Sequence, residues 1–501
     1  MRYVLACLLI LCAWKVDGQS VNQQKINKLS TDALPAALDA FGEFLSIPNL
    51  GSSKSDVEKN RVWCRQAYEA IGFTVVEVPT ATMPILVASY QAGKPKTVLF
   101  YTQIDGQPVN PSTWHQANPY RPVMKALIDG QWQEQAWTTT PFHEDWRIFA
   151  RSASDSKGPA FMLLQALRIM KEQRLKPEFN IKVVMDFEEE QGSPALADAV
   201  ARNRVLLAAD YCVIMDGVRS VRNAPTLTFG ARGITTMTLK IYGPKNDAHS
   251  GQFGNYVPNP VFGAAHLLAA MKDESGRVLI PGFYDGVNLS DDEKRILNQV
   301  PDDPDELGAG LGIARPEAVG STYQESLQYP SLNVRGMKAA EVGDQSRTII
   351  PAEVTIEMDM RLVPETPAKR QVNLVKAFIA QQGYHLVEQQ PTAEERRTYP
   401  KLASLTYEEG SLPFRTSYSD PMANWLSAAV MRATGIDPIK MRTTGGSQPV
   451  SPFISTLGVP AIAVRIPDPG SNIHASDENI RLGNFREGIA TCLSILTQPI
   501  R

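Results

Sequence analysis

The sequence predicts an α/β fold in which a helix-covered, mostly parallel sheet is interrupted by a smaller α+β domain. Two observations carry this reading. Over 19–227 and again over 413–501, short apolar runs alternate with segments of helical period, the rhythm of a sheet with helices on its faces. Between 228 and 412 apolar and polar residues alternate one by one, as in half-exposed antiparallel strands. With 43% hydrophobic and 21% charged residues, the chain has an ordinary globular composition that can fill two such cores.

The elements follow in order. Arg2 precedes an unbroken apolar run of eleven residues, 4–14, which is too short for a membrane span of about 20 residues. Val16 and Gly18 then suit positions −3 and −1 of a cut, so 1–18 is expected to be a secretory leader and the mature protein to be exported, to periplasm or medium. Segments 31–48 and 54–72 have helical period, and Gly72 suits a C-terminal cap. The apolar runs 73–78, 85–89 and 98–102 read as strands; the last is apolar on both faces, as a central strand requires. Segment 110–150, rich in Pro, Trp, Gln and Thr, reads as a long loop or small ribbon. Helix 159–171 carries Pro159 in its first turn, and strands 181–187 and 211–215 flank helix 194–205.

In the middle segment Met237, Leu239 and Ile241 alternate with Thr236, Thr238 and Lys240, and Val354, Ile356, Met358 and Met360 with Thr355, Glu357, Asp359 and Arg361. Each strand is followed by a helical stretch, 260–273 and 367–382, and 275–330 reads as a helical excursion with loops. Helix 420–434, strand 461–466 and helix 484–496 complete the first domain; Phe485, Ile489, Leu493 and Leu496 share one face.

Charge and cysteine content narrow the function. Fifty Lys and Arg against 53 Asp and Glu give a net charge of −3, without the positive excess that nucleic-acid binding needs. No run after the leader is long and apolar enough to span a membrane. Cys64, Cys212 and Cys492 are too few and too widely spaced for a disulfide framework and are expected as buried thiols. Imidazole chemistry must come from His115, His143, His249, His266, His385 or His474.

The chemistry-bearing residues follow the strand-like runs, and ligands of such sheets gather at the carboxyl ends of strands. Strand 98–102 runs into Gln103-Ile104-Asp105-Gly106, strand 181–187 into Glu188-Glu189-Glu190-Gln191-Gly192-Ser193, and strand 211–215 into Asp216-Gly217. Asp155 and Lys157 precede helix 159–171, and His474 follows strand 461–466. Each alone is an ordinary cap, turn or surface residue. Together they form a hard-to-borderline ligand set suited to zinc, and a divalent cation is the simplest compensation for carboxylates crowded at one edge.

In this order the residues resemble metallopeptidase family twenty, the zinc exopeptidases that include carnosine dipeptidases, carboxypeptidase G, aminoacylase and succinyl-diaminopimelate desuccinylase. The family order is H-x-D, a G-x-x-D-x-K-G-like element, E-E-x-G-S, Asp and a late His. Here it reads Gln103-Ile104-Asp105, Ser152 to Gly158, Glu189 to Ser193, Asp216 and His474. Asp105-Gly106-Gln107-Pro108-Val109 and Arg361-Leu362-Val363-Pro364 place it nearest the dipeptidase branch. The resemblance implies a zinc-exopeptidase-type α/β domain with an inserted ferredoxin-like lid, through which the chain would form a homodimer. It implies amide hydrolysis of dipeptides or N-acyl amino acids by a metal-bound hydroxide. Asp155 would bridge two zinc ions, Glu190 and His474 would complete the first, and Asp216 and Gln103 the second. Glu189 would be the general base, and Asp105 would orient residue 103. Asn246 to Gly251 resembles the family's D-x-H-S-G element, which makes His249 the oxyanion partner reaching across the dimer. Asn333, Arg361 and Gly445-Gly446-Ser447 would hold the substrate carboxylate.

Gln103 departs from the family, which has histidine there. A neutral amide oxygen is a poorer zinc ligand than imidazole. Its oxygen could face the metal while its NH2 donates to Asp105. The second ion is therefore expected to be weak or exchangeable, or to be manganese or magnesium; a one-ion enzyme or a weakly active peptide- or carboxylate-binding homologue are the alternatives. His115 and His143 are the only nearby imidazoles that could stand in.

Overall fold

A computed structural model describes residues 21–500; the expected leader, 1–18, lies outside the described residues. The first domain is built on an eight-stranded sheet. Its strands are β1 (Thr74–Val78), β2 (Ile85–Tyr90), β3 (Thr97–Gln103), β4 (Asn180–Asp186), β5 (Tyr211–Ile214), β6 (Thr226–Thr228), β7 (Ile439–Met441) and β8 (Ala461–Arg465), in the spatial order β1-β2-β4-β3-β5-β8-β6-β7. Parallel pairing joins β4 to β3, β3 to β5 and β5 to β8 at the centre, and β6 to β7 at one edge. The pairings β1–β2, β2–β4 and β8–β6 are antiparallel. Val98, Leu99, Phe100 and Tyr101 are all buried, as the two-faced apolar pattern of this run requires.

Helices Leu34–Leu45, Lys157–Glu172, Pro421–Thr434 and Leu482–Leu496 bury one face of this sheet, where Phe41 stacks on Phe485 with ring centroids 4.9 Å apart. Leu196–Arg202 and Ser451–Leu457 cover the other. The helix expected over 31–48 is Leu34–Leu45; it is preceded by a separate helix, Gln23–Asp32, that ends at Ala33, and it carries Pro35 in its first turn. That is where a residue without an N–H costs nothing. Segment 110–150 contains the strands Val123–Ile128, Gln131–Gln135 and Arg147–Phe149, which join Asn479–Arg481 in a small sheet; of the two readings it is the ribbon. The three-residue strands β6 and β7 are too short to show a period and were not legible in sequence.

The middle of the chain forms a second sheet with its own core. Its strands run in the order Ser331–Lys338, Glu353–Leu362, Gly233–Tyr242, Leu402–Glu409, His385–Leu386. Met237 pairs with Met358 and Leu239 with Ile356, so the alternating apolar sets share one face. That face is buried by helices Pro260–Met271 and Ala368–Gln381. The intervening segment carries the short helices Asp291–Leu297, Pro304–Leu311 and Tyr323–Ser326, as its composition suggested. Cys64, Cys212 and Cys492 are buried and free, and among the described residues no helix is long and apolar enough to cross a membrane.

Candidate metal centre

Because β3, β4, β5 and β8 run parallel, their carboxyl ends share one edge of the sheet, and the segments that follow them meet there. After β4 the chain makes a tight turn, Glu189–Gln191. Asp105, just past β3, holds that turn: its Oδ1 accepts from Glu189 N at 3.0 Å and its Oδ2 from Glu190 N at 3.1 Å. This corrects the expected role of Asp105. Both of its oxygens accept from backbone N–H groups of this turn, so it aims the two glutamates, and the Gln103 amide donates elsewhere.

Asp155 is held from the far end of the chain. The buried Glu478 accepts from Ser152 N (2.8 Å), Ser154 N (2.9 Å), Asp155 N (2.8 Å) and Arg151 Nη1 (2.7 Å). The loop it grips leads straight into helix Lys157–Glu172, and Gly158 permits the close fold, since a Cβ there would lie 2.1 Å from the Ala153 carbonyl oxygen. Sequence reasoning passed over Glu478: most of its partners are backbone amides more than 300 positions away, and nothing in its local pattern marks it.

Asp155, Glu190 and His474 converge. His474 Nε2 lies 2.9 Å from Asp155 Oδ2 and 3.2 Å from Glu190 Oε2, and one ligand atom from each residue falls within 4.8 Å of the others. His474 sits in the left-handed region at φ 58°, in a turn that also puts Asn472 and Asp477 there. Gln107 Nε2 donates to Glu190 Oε2 at 2.8 Å, while Glu190 Oε1 is buried with no hydrogen-bond partner. The hydrogen bonds to Asp155 and Glu190 push the His474 imidazole up to about 10. Two carboxylates and an imidazole aimed at one point, with a buried oxygen unspent, fit a divalent cation such as zinc. Glu189, in the same turn, is pushed well above the usual carboxylate range by burial and by the charges of Asp216, Glu190, Asp155 and Asp105.

The other expected ligands stand differently. Asp216 is bridged to Asp155 by Ser156 Oγ, which lies 2.9 Å from Asp155 Oδ1 and 3.2 Å from Asp216 Oδ1. Gln103 does not donate to Asp105; its Nε2 donates to Asp155 Oδ1 at 2.7 Å, and its Oε1 is buried without a partner. With Asp105 engaged by the turn, Asp155 is the acceptor left within reach. Neither alternative histidine joins the cluster: His115 pairs with Asp477, and His143 stacks on Trp146.

On the second sheet Arg361 Nη1 donates to Ser447 Oγ at 3.0 Å, so these two expected carboxylate-binding residues meet across the domains. Gly446 lies exposed beside them. Asn333 pairs in register with Asp359 and donates to it at 3.1 Å. Arg232, unmarked in the sequence, is buried near Arg361. Burial and the Arg361 charge lower it to about 10, and its Nε has no partner. His249 is exposed, and its Nδ1 accepts from Gly251 N at 3.1 Å within its own turn.

Lys157 is completely buried and donates to Phe44 O at 2.8 Å and Ile47 O at 2.7 Å; burial lowers it to about 7. Below that value both folded and unfolded chains carry the proton. Between it and the ordinary lysine value of 10.5 only the unfolded chain does, so stability rises with pH across that window. The denaturation midpoint of the protein should therefore gain on that of Lys157→Met as pH rises from 7 to 9. A difference that stays flat with pH contradicts the buried-amine account.

Residues 99–498 match the sequence pattern of "Peptidase family M20/M25/M40". Among similar curated proteins are the Beta-Ala-His dipeptidase of Rattus norvegicus, 26% identical over 81% of this chain and 78% of that protein, and the Cys-Gly metallodipeptidase dug1 of Schizosaccharomyces pombe, 27% identical over 84% and 83%. Among solved structures, an M20 family metallo-carboxypeptidase from Sulfolobus solfataricus is similar with a TM-score of 0.74 at 25% identity, covering 92% of this chain and 98% of that one. Human carnosine dipeptidase 1 has the same fold with a TM-score of 0.70 at 21% identity, covering 95% and 98%.

Proposed function

The chain belongs to peptidase family M20/M25/M40, and from that premise we propose that it is a metal-dependent dipeptidase whose cation is held by Asp155, Glu190 and His474. The observation that carries the reading is the convergence of those three side chains within 4.8 Å, with a buried Glu190 oxygen left over. Zinc suits this mixed carboxylate and imidazole set. A cation bound there supplies Lewis acidity, polarising water and the scissile carbonyl.

This chain's residues do the rest. Glu189, made proton-hungry by burial and four neighbouring carboxylates, takes a proton from the attacking water and hands it to the leaving amine. Asp105 keeps Glu189 and Glu190 pointed at the same place through their backbone N–H groups. Arg361, with Ser447 on its guanidinium and Arg232 behind it, presents positive charge to a free substrate carboxylate. That grip favours dipeptides and extends to N-acyl amino acids. Asn333 and Gly446 are assigned to the same carboxylate grip, and His249 to a partner's site in a homodimer formed through the inserted domain, as the family resemblance implies. The leader-like segment 1–18 supports export. Gln103 favours a second reading, a weakly active binding homologue, because its amide lies against Asp155.

A dipeptide and N-acyl amino acid panel, run with zinc and with manganese, separates the two readings. The dipeptidase releases free amino acid from at least one dipeptide. No turnover on any substrate by protein that still binds the metal favours the binding homologue. Arg361→Ala is expected to lower kcat/KM for a free dipeptide by about 10–100-fold, the worth of a charged hydrogen bond, and to leave a C-terminally amidated analogue nearly unaffected. An equal loss on both substrates would remove Arg361 from carboxylate binding.

A further inference from the structure

Hydrogen-bond donors crowd the position beside Asp216, and the one unpartnered acceptor there, Gln103 Oε1, is a neutral amide oxygen and so a poorer zinc ligand than imidazole or carboxylate. Three of the four oxygens of Asp155 and Asp216 are taken by the protein itself. Gln103 Nε2 donates to Asp155 Oδ1 (2.7 Å), Ser156 Oγ lies within hydrogen-bond reach of Asp155 Oδ1 (2.9 Å) and Asp216 Oδ1 (3.2 Å), and Gln448 Nε2 donates to Asp216 Oδ2 (2.5 Å). The fourth, Asp155 Oδ2, faces His474. Turning the Gln103 amide over would place two acceptor oxygens against each other at 2.7 Å, so the donor orientation is the one consistent with its surroundings.

A buried positive charge stands with them. Arg465, at the end of β8, is only 8% exposed, and the one hydrogen bond its side chain makes among the described residues runs from Nε to Thr228 Oγ1 at 3.0 Å. Its guanidinium lies over Gly217, the residue after Asp216: a Cβ there would be 1.2 Å from Arg465 Nη1, and the φ of 85° independently calls for glycine. Burial pulls the guanidinium below its ordinary value, and the charges of Asp216 and Asp155 act against that pull.

We propose that Gln103, Ser156, Gln448 and the Arg465 guanidinium together occupy the place of a second cation, so that this chain holds a single divalent ion, at Asp155, Glu190 and His474. The guanidinium supplies fixed positive charge to Asp216 and Asp155, and the two amides and the hydroxyl each donate one hydrogen bond to them. A second dication brought to Asp216 would meet a like charge and would compete with donors already on both of its carboxylate oxygens. The inference rests on the metal-dependent reading above.

Zinc content per chain tests it, measured by elemental analysis and native mass spectrometry after desalting from excess zinc. The expected results are one ion in the wild type, one tight ion in Gln103→His, and two in Gln103→His/Arg465→Met. The second ion should bind Gln103→His at least about tenfold more weakly than it binds the double variant, because the guanidinium still opposes it. Two tight ions in the wild type, equal second-ion affinity in the single and double variants, or only one ion in the double variant would each overturn the proposal. No bound ion at all would instead overturn the metal-dependent reading. Should the double variant fail to fold, electron paramagnetic resonance of wild-type protein saturated with manganese decides: isolated Mn(II) signals are expected, and spin-coupled pairs contradict the single-ion site.

Discussion

Glu189→Gln is expected to lower dipeptide turnover by about 10²- to 10⁴-fold, the usual contribution of a general base, without changing zinc content. The substitution keeps the shape of the side chain and removes its ability to accept a proton. In the protein that ability is enhanced by burial and by the charges of Asp216, Glu190, Asp155 and Asp105. The backbone of residue 189 still donates to Asp105, so the turn that aims Glu190 at the cation is retained. Turnover and metal content measured on the same preparation check this. Activity within tenfold of wild type would place the base elsewhere, and a parallel loss of zinc would make residue 189 a ligand.

Glu478→Ala is expected to cost about 3–5 kcal/mol of stability, the usual penalty for removing one partner of a buried ion pair. The side chain is fully buried and accepts from Arg151 and from three loop amides, those of Ser152, Ser154 and Asp155. Its removal leaves a guanidinium and three N–H groups with little access to water. Because Asp155 hangs on this loop, zinc affinity should fall together with stability. Denaturation midpoints and zinc titrations on Glu478→Ala and Glu478→Gln check both effects. Unchanged zinc affinity in a folded Glu478→Ala protein would mean that the loop keeps its shape without the anchor.

The fold was legible where burial imposes a period. The unbroken apolar run that became β3 and the alternation around Met237 and Met358 identified two different sheets, because each pattern answers to which faces are covered. Three-residue strands such as β6 and β7 hold no period and stayed invisible. At the site, Asp155, Glu190 and His474 could be named from sequence because their residue types and their places after strand-like runs carry information about ligation. The role of Asp105 could not be read, since it depends on which N–H groups the next turn points at it. Glu478, Arg465 and Gln448 were also out of reach. Each acts on residues hundreds of positions away, and locally they read as a loop acid, the end of a strand and a turn amide. Gln103 was recognised as a departure; its partner was not, because the amide turns to whichever acceptor the fold leaves free.

The central claim is that Asp155, Glu190 and His474 share one cation. Zinc K-edge X-ray absorption on protein loaded with one equivalent of zinc tests it most directly. The account predicts a shell of nitrogen and oxygen donors at about 2.0–2.2 Å with the outer-shell scattering of an imidazole, and loss of that imidazole signal in His474→Ala. A spectrum unchanged by His474→Ala, or one showing sulfur ligands, would contradict it.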